Sequence, residues 1–321
     1  MREVTRKRMM VFSGTAHPEL GEEIATAIGV MPGAVEIYRF SNGEIYVRFL
    51  ESVRGVDAFV VQTCAEPIND HIMELLLLMD ALKRASAKRI TAVIPYYGYS
   101  RQDKKTLSRE PISSRLIADI VSAAGADRVL SVDLHAGQIQ GFFNFPVDHI
   151  TAMPLLASYI VQKQLEDIVV VSPDAGRVTV AKRLSDRLHV PMAILHKRRP
   201  DKNVAEMLHV IGEVGGKTAV LIDDMVDTAG TMVEAASALK REGAVEIYAC
   251  ATHPILSGSA AERIEHSEIK ELVVTNTLPV PPEKKIDKIT LLSIAPLLAN
   301  TITAVFRDES VSEICGGDNQ T

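Results

Sequence analysis

Three carboxylates arrive at the end of one apolar run: Val220-Leu221-Ile222 leads into Asp223, Asp224 and Asp227, and Thr228, Ala229, Gly230 and Thr231 follow. A strand that feeds a small-residue loop and then a helix forms a socket for an anion. The first N–H groups of a helix lack intrahelical partners and carry about half a unit of positive charge. Thr228 and Thr231 add hydroxyl donors, while Ala229 and Gly230 let a phosphate approach closely. The acids would repel that phosphate unless they face another part of the same ligand. Ionised Asp accepts hydrogen bonds, and the vicinal hydroxyls of a ribose donate them. Asp after a strand also serves as a helix cap or turn former, and a single acid here would be read that way. Three acids followed by Thr-Ala-Gly-Thr favour a sugar phosphate.

Other chemistry-bearing residues are scattered. In Asp133-Leu134-His135 an extended chain would put acid and imidazole on one side, although an isolated His more often packs or caps than binds a metal. Arg101-Gln102-Asp103 follows Tyr96-Tyr97-Gly98-Tyr99 and offers a planar cation and an amide, suited to a purine and its phosphates or equally to a solvated loop. Asn42-Gly43 reads as a hairpin turn, since both residues tolerate positive φ. The run 197–203, Lys-Arg-Arg-Pro-Asp-Lys-Asn, is too polar for a core. Such runs are usually solvated faces. Beside a sugar-phosphate loop, Lys197 and Arg199 also suit a flap that closes over a polyphosphate and excludes water.

The elements that must position these groups follow from composition and period. A chain of 321 residues implies two domains of about 150 residues. Hydrophobic residues at 47% and charged ones at 24% are ordinary for a globular fold. The net charge of −6 disfavours a broad nucleic-acid footprint, while the clusters Lys104-Lys105 and 197–199 suit small polyanions. Cys64, Cys250 and Cys315 are widely spaced, with no Cys-x-x-Cys pattern, and read as buried thiols in a reducing compartment rather than a disulfide framework or zinc site. No leader peptide is read from the sequence, and the apolar run 72–79 is broken by Glu74 and too short to span a bilayer. The expectation is a cytoplasmic protein without membrane or nucleic-acid partners.

Short β-branched runs alternate with amphipathic stretches, which predicts α/β units on largely parallel sheets. Strands are expected at 58–62, 89–94, 128–132, 168–171, 191–195, 217–222 and 246–251. Helices are expected at 69–84, 111–124, 178–188 and 232–242, with Gly125 and Gly243 as stops. Buried strands ending in Asp133 and Asp223 hint at a duplicated fold, with the boundary near 145–154, where Pro146 and Pro154 interrupt the pattern.

Five separated motifs carry a resemblance: Phe40-Ser41-Asn42-Gly43-Glu44, the run 95–103, Asp133-Leu134-His135-Ala136, Ser172-Pro173-Asp174 and Lys197-Arg198-Arg199-Pro200. With the acidic loop, the chain resembles the ribose-phosphate pyrophosphokinase family, class I bacterial type, from about Phe12 to about Ile314. The resemblance implies two similar domains of type I phosphoribosyltransferase-like fold, at 1–150 and 151–306, with a tail 307–321 joining the first and the active site between them. It implies transfer of the diphosphoryl group of ATP to ribose 5-phosphate with Mg2+. Lys197 and Arg199 would be catalytic, and Arg199 would also bind ribose 5-phosphate together with Asp223, Asp224, Asp227, Thr228, Ala229, Gly230 and Thr231. Arg101, Gln102, Asp103 and His135 would bind ATP, with Phe40, Asn42, Gly43 and Glu44 from a neighbouring subunit. His135 and Asp174 would hold metal. By that resemblance alone the protein would be a homo-oligomer, a hexamer, and would respond to ADP and phosphate at Ser52, Arg54, Arg84, Ser310 and Ser312. A phosphoribosyltransferase would share the acidic loop without needing a nucleotide site, and a non-catalytic regulatory homologue would not need Lys197 and Arg199. Three positions depart from the family pattern: Arg177 stands where Gly is common, Gly137 where Pro is, and Asn42 where Asp is.

Overall fold

The computed structural model describes residues 7–198 and 207–314. By contacts the chain divides into unit 1, Met1–Thr151 with Thr277–Pro279 and Ile294–Thr321, and unit 2, Ala152–Asn276 with Val280–Ser293. Unit 1 carries β1 (Met9–Ser13), α1 (Pro18–Ile28), β2 (Val35–Arg39), β3 (Ile45–Phe49), β4 (Asp57–Val61), α2 (Ile68–Arg84), β5 (Arg89–Ile94), α3 (Ser113–Ala124), β6 (Arg128–Val132) and β7 (Val147–Ile150). Unit 2 carries α4 (Met153–Gln162), β8 (Ile168–Ser172), α5 (Val178–Leu188), β9 (Met192–Arg198), β10 (Met207–Ile211), β11 (Thr218–Val226), α6 (Gly230–Arg241), β12 (Glu246–Pro254), α7 (Ala260–Glu265), β13 (Glu271–Thr275) and β14 (Ile289–Leu292). The last helix, α8 (Ala295–Arg307), packs on α1 and belongs to unit 1.

The unit 1 sheet runs β1-β4-β5-β6-β7, parallel throughout, and β2 and β3 form a separate antiparallel hairpin. In unit 2 the order is β10-β9-β8-β11-β12-β13-β14, parallel except for the edge strand β10. Parallel sheets are covered on both faces, and the residues show why. Val169 and Val171 of β8 pack with Ala219, Leu221 and the α6 residues Ala235 and Leu239, whereas Val170 packs with Val220, Ile222 and the α5 residues Ala181 and Leu184. Alternate residues of one strand thus feed two cores, as a period of two dictates. Burying a Val or Leu side chain contributes about 1.5–3 kcal/mol, so these runs dominate the unit's stability. Cys64 and Cys250 are buried, which pushes both thiols up to about 12 and leaves them protonated.

The expected helix stop at Gly125 is present: its φ of 110° is the left-handed conformation that glycine tolerates, and its N–H donates to the Ser122 carbonyl at 3.1 Å. The expected hairpin turn is present, with one of its two residues at positive φ. Among the described residues at positive φ is Gly43, at 91°, but not Asn42. The loop spans residues 40–44, closed by Gly43 N–H to Phe40 O at 2.8 Å and Phe40 N–H to Glu44 O at 2.9 Å. Asn42 acts through its side chain, accepting the Glu44 N–H at 3.2 Å.

Candidate functional site

β11 is longer than its apolar run. It continues past Ile222 through Asp223 and Asp224 to Val226, because β12 keeps pairing with it, Asp223 opposite Ala251 and Met225 opposite His253. On the other side β8 pairs only as far as Val171 opposite Leu221. The acids therefore stand on a rigid strand at the point where one edge becomes open. A three-residue bend at 227–229 follows, and α6 starts at Gly230, two residues before the expected Met232. Ala229 has φ 62°, a left-handed conformation costing an alanine about 1–2 kcal/mol, which marks a loop held by its surroundings. Gly230 leaves the bend open: a Cβ there would meet Thr228 Oγ1 at 3.7 Å and Arg263 Nη1 at 4.0 Å. Arg263 on α7 donates to the Thr228 carbonyl at 3.0 Å and braces the loop.

The loop after β8 approaches the open edge. Asp174 Oδ1 accepts from Gly176 N–H at 2.8 Å and Arg177 N–H at 3.1 Å, and Ser172 Oγ donates to the Asp174 carbonyl at 2.7 Å. From this turn Arg177 places Nε 3.0 Å from Asp223 Oδ1 and Nη2 2.8 Å from Asp224 Oδ1. Burial pushes the Asp223 carboxyl up to about 8, the neighbouring Asp224 adds to the rise, and Arg177 pulls against it.

In unit 1 the expectation for Asp133-Leu134-His135 fails locally. Asp133 has φ 37°, so the chain bends rather than continuing β6, and the same-side argument does not apply. The bend is forced by capture of its amides: Asp133 N–H donates to Ile150 O at 2.9 Å and Leu134 N–H to His149 Nε2 at 2.9 Å. Arg101 and Gln102 are exposed on the turn after β5, and Gln138 Nε2 donates to Asp103 Oδ2 at 2.7 Å. That bond joins the β5 loop to the His135 loop within one unit. Phe40 is 46% exposed on the hairpin and packs edge-on to Tyr38 at 5.4 Å and Tyr46 at 6.0 Å. Arg199 and the side chain of Lys197 lie outside the described residues.

For a metal, the donor set is sparse. No group of three or more His, Cys, Asp or Glu side chains able to hold an ion occurs among the described residues. The Asp174 carboxylate uses Oδ1 for two amides, and its second oxygen is a hard acceptor. Magnesium fills most of its shell with phosphate oxygens and water, so one carboxylate is an adequate protein share.

The sequence model for the N-terminal domain of ribose phosphate pyrophosphokinase matches residues 9–125, and that for the phosphoribosyl synthetase-associated domain matches 200–315. A relative from Bacillus subtilis named ribose-phosphate pyrophosphokinase is 55% identical over 306 residues, covering 95% of this chain and 96% of the relative. The chain belongs to the ribose-phosphate pyrophosphokinase family. Another relative of the same name, from Corynebacterium ammoniagenes, is 56% identical over 95% of this chain and 96% of its own length. The crystal structure of phosphoribosylpyrophosphate synthetase from Mycobacterium smegmatis superposes with a TM-score of 0.90 at 51% identity, covering 94% of this chain and 100% of that one. The α/β architecture is thus a property of this pyrophosphokinase family.

Of the residues expected at a regulatory anion site, Ser312 lines a cavity of about 430 Å³ with Arg128, Asp148, His149 and Asp308, and its hydroxyl lies 2.8 Å from that of Ser310. Ser52, Arg54 and Arg84 do not line it, and Arg84 is paired with Asp80 at 2.6 Å. Sequence reasoning missed Arg263 and the task of Arg177. Each is one cation among many in a linear chain, and only tertiary placement selects it. No helix among the described residues is long and apolar enough to cross a membrane.

Proposed function

We propose that the protein transfers the diphosphoryl group of ATP to the 1-hydroxyl of ribose 5-phosphate, forming phosphoribosyl pyrophosphate and AMP for nucleotide biosynthesis. The observation that carries this reading is identity above one half along 95% of the chain to proteins named for that reaction. The geometry supplies matching parts. The 5-phosphate sits on the amides and hydroxyls of the bend ahead of α6, Thr228 to Thr231, and the sugar hydroxyls donate to Asp223, Asp224 and Asp227. Arg101, Gln102, Asp103 and His135 hold ATP, assisted by Phe40, Asn42, Gly43 and Glu44 of a neighbouring copy's hairpin.

The sugar O1 attacks the β-phosphorus in line and gives up its hydroxyl proton to solvent, the bond from that phosphorus to the bridging oxygen of the α-phosphate breaks, and AMP departs with that oxygen. Charge on the transferring group is the main obstacle, so catalysis comes from positioning and fixed cations. Lys197 and Arg199 supply those cations. Magnesium, held through Asp174 and His135, supplies further charge neutralisation on the polyphosphate when bound. The reading extends to a cytoplasmic homo-hexamer controlled by ADP and phosphate, with Ser52, Arg54, Arg84, Ser310 and Ser312 in the regulatory site. A coupled assay with ATP, magnesium and ribose 5-phosphate tests the reaction: AMP must form only when the pentose phosphate is present.

A further inference from the structure

Successive carbonyls of the bend ahead of α6 are captured from one side. The Val226 carbonyl accepts the Leu256 N–H at 2.9 Å, the Asp227 carbonyl accepts the Ser257 N–H at 2.9 Å, and the Thr228 carbonyl accepts from Arg263 Nη1 at 3.0 Å. The first two donors are backbone, and the last is a side chain on α7. Resting on the pentose-phosphate reading of this bend, we propose that Arg263 is a positioning residue that fixes the Thr228 peptide, so that the bend's amides are set to receive the 5-phosphate.

A trans peptide is planar, and its N–H points opposite to its C=O. Because the Asp227 and Thr228 carbonyls face the 256–263 segment, the N–H groups of Thr228 and Ala229 face away from it. Neighbouring amides turned to one side, next to the positive end of a helix, make a concave seat for an anion. The arrangement does not sustain itself. Ala229 has φ 62° and ψ 0°, and Leu256 across the bend has φ 51°, left-handed conformations that such residues adopt only under constraint. Strained backbone persists where its neighbours over-determine it, and the Arg263 bond is one of those constraints.

The brace is rooted. α7 buries Ala260 and Ile264 in the same apolar cluster that takes in Val226, Ala229, Met232 and Leu256, so the helix that carries Arg263 and the bend it holds share one core. The Arg263 backbone N–H donates to the Ser259 carbonyl at 3.0 Å, which fixes the base of its side chain. An ionised donor on a carbonyl is stronger than a neutral one, and a single bond of that kind matters where the backbone is strained. The amides are then aimed before the sugar phosphate arrives, and binding does not have to order them.

The experiment measures AMP formation by the full chain with ATP, magnesium and ribose 5-phosphate, for the unaltered protein, Arg263→Met, Arg263→Gln and Arg263→Lys. Thermal melts check that each variant folds. Arg263→Met, and Arg263→Gln with its shorter side chain, raise KM for ribose 5-phosphate about tenfold, while kcat and KM for ATP move less than about twofold. Arg263→Lys recovers most of the loss, because one donor suffices for one carbonyl. Hydrogen exchange on ligand-free protein separates bracing of the bend from contact with the phosphate: residues 226–233 exchange about tenfold faster in Arg263→Met than in the unaltered protein. Should Arg263→Met not fold, Arg263→Gln decides by the same measures. A KM for ribose 5-phosphate within about twofold of the unaltered value overturns the proposal. So does a raised KM with unchanged exchange at 226–233, an equal rise in both KM values, or an Arg263→Lys protein as weak as Arg263→Met. If the unaltered protein forms no AMP with ribose 5-phosphate present, the pentose-phosphate reading itself is wrong and the proposal falls with it.

Discussion

His149 accepts the backbone N–H of Leu134 at its Nε2 over 2.9 Å, so a ring on β7 pins the bend that carries Asp133 and His135. At the other edge of the ring, Gln140 Nε2 lies 3.4 Å from Nδ1. His149 is also a wall of the cavity that Ser312 lines, which sets one side chain between that cavity and the His135 bend.

Replacing His149 by Phe leaves a buried amide without its acceptor and should cost about 1–3 kcal/mol, read by urea denaturation. The same variant should raise KM for ATP while leaving KM for ribose 5-phosphate unchanged, since the displaced bend belongs to the nucleotide loops. His149→Gln, which keeps an acceptor, should recover part of both. A His149→Phe protein as stable as the parent would show that the bend holds itself.

Acid stability should report the network at the end of α8. Lys7 and Arg89 hold the Asp308 carboxyl down at about 2, Lys7 at 2.6 Å and Arg89 at 2.7 Å, while Arg89 also grips the buried Asp57 at 2.7 Å. A carboxyl lowered by folding stabilises the folded chain above its ordinary value of 3.8, and that contribution disappears as pH falls through about 2. Asp308→Asn, which tolerates the same φ of 59°, should be less stable than the parent at neutral pH, and the gap should close on acidification across that window. Asp223 acts in the opposite sense. Burial and the neighbouring Asp224 raise its carboxyl above 3.8, so the folded chain holds that proton more tightly than the unfolded chain, and this contribution to stability falls as pH rises above that value. Asp223→Asn should flatten that fall. Parallel denaturation curves for parent and variants across pH would contradict both assignments.

The cation reading of the run at 197–199 is tested by turnover. Lys197→Ala and Arg199→Ala should each lower kcat by about 10²- to 10⁴-fold, in the range set by single charged donors in phosphoryl transfer. The fold should remain nearly intact in both, and the binding of ribose 5-phosphate nearly intact in Lys197→Ala. Parent-like kcat in either variant removes the flap from the mechanism.

Local pattern accounts for what is legible in the sequence. Arg89–Ile94, Arg128–Val132 and Val178–Leu188 read end to end, because apolar period and flanking stop signals agree there. The acidic loop is legible as well, since its acids, hydroxyls and small residues are contiguous. The extension of β11 to Val226 depends on pairing with β12, whose partner residues lie far away in sequence. The bend at Asp133 depends on a carbonyl of β7 and on the His149 ring, and period alone favours an extended chain. Arg177 is conspicuous as a residue type, yet its engagement with Asp223 and Asp224 exists only because β8 stops pairing before β11 does.

Diphosphoryl transfer is read out atom by atom when the phosphorus nuclei are followed by ³¹P spectroscopy. With ATP, magnesium and ribose 5-phosphate, one AMP should form for each ATP consumed, with the β- and γ-phosphorus both appearing as a diphosphate on the sugar C1 oxygen. Formation of ADP in place of AMP, or AMP formation that does not depend on ribose 5-phosphate, would contradict it.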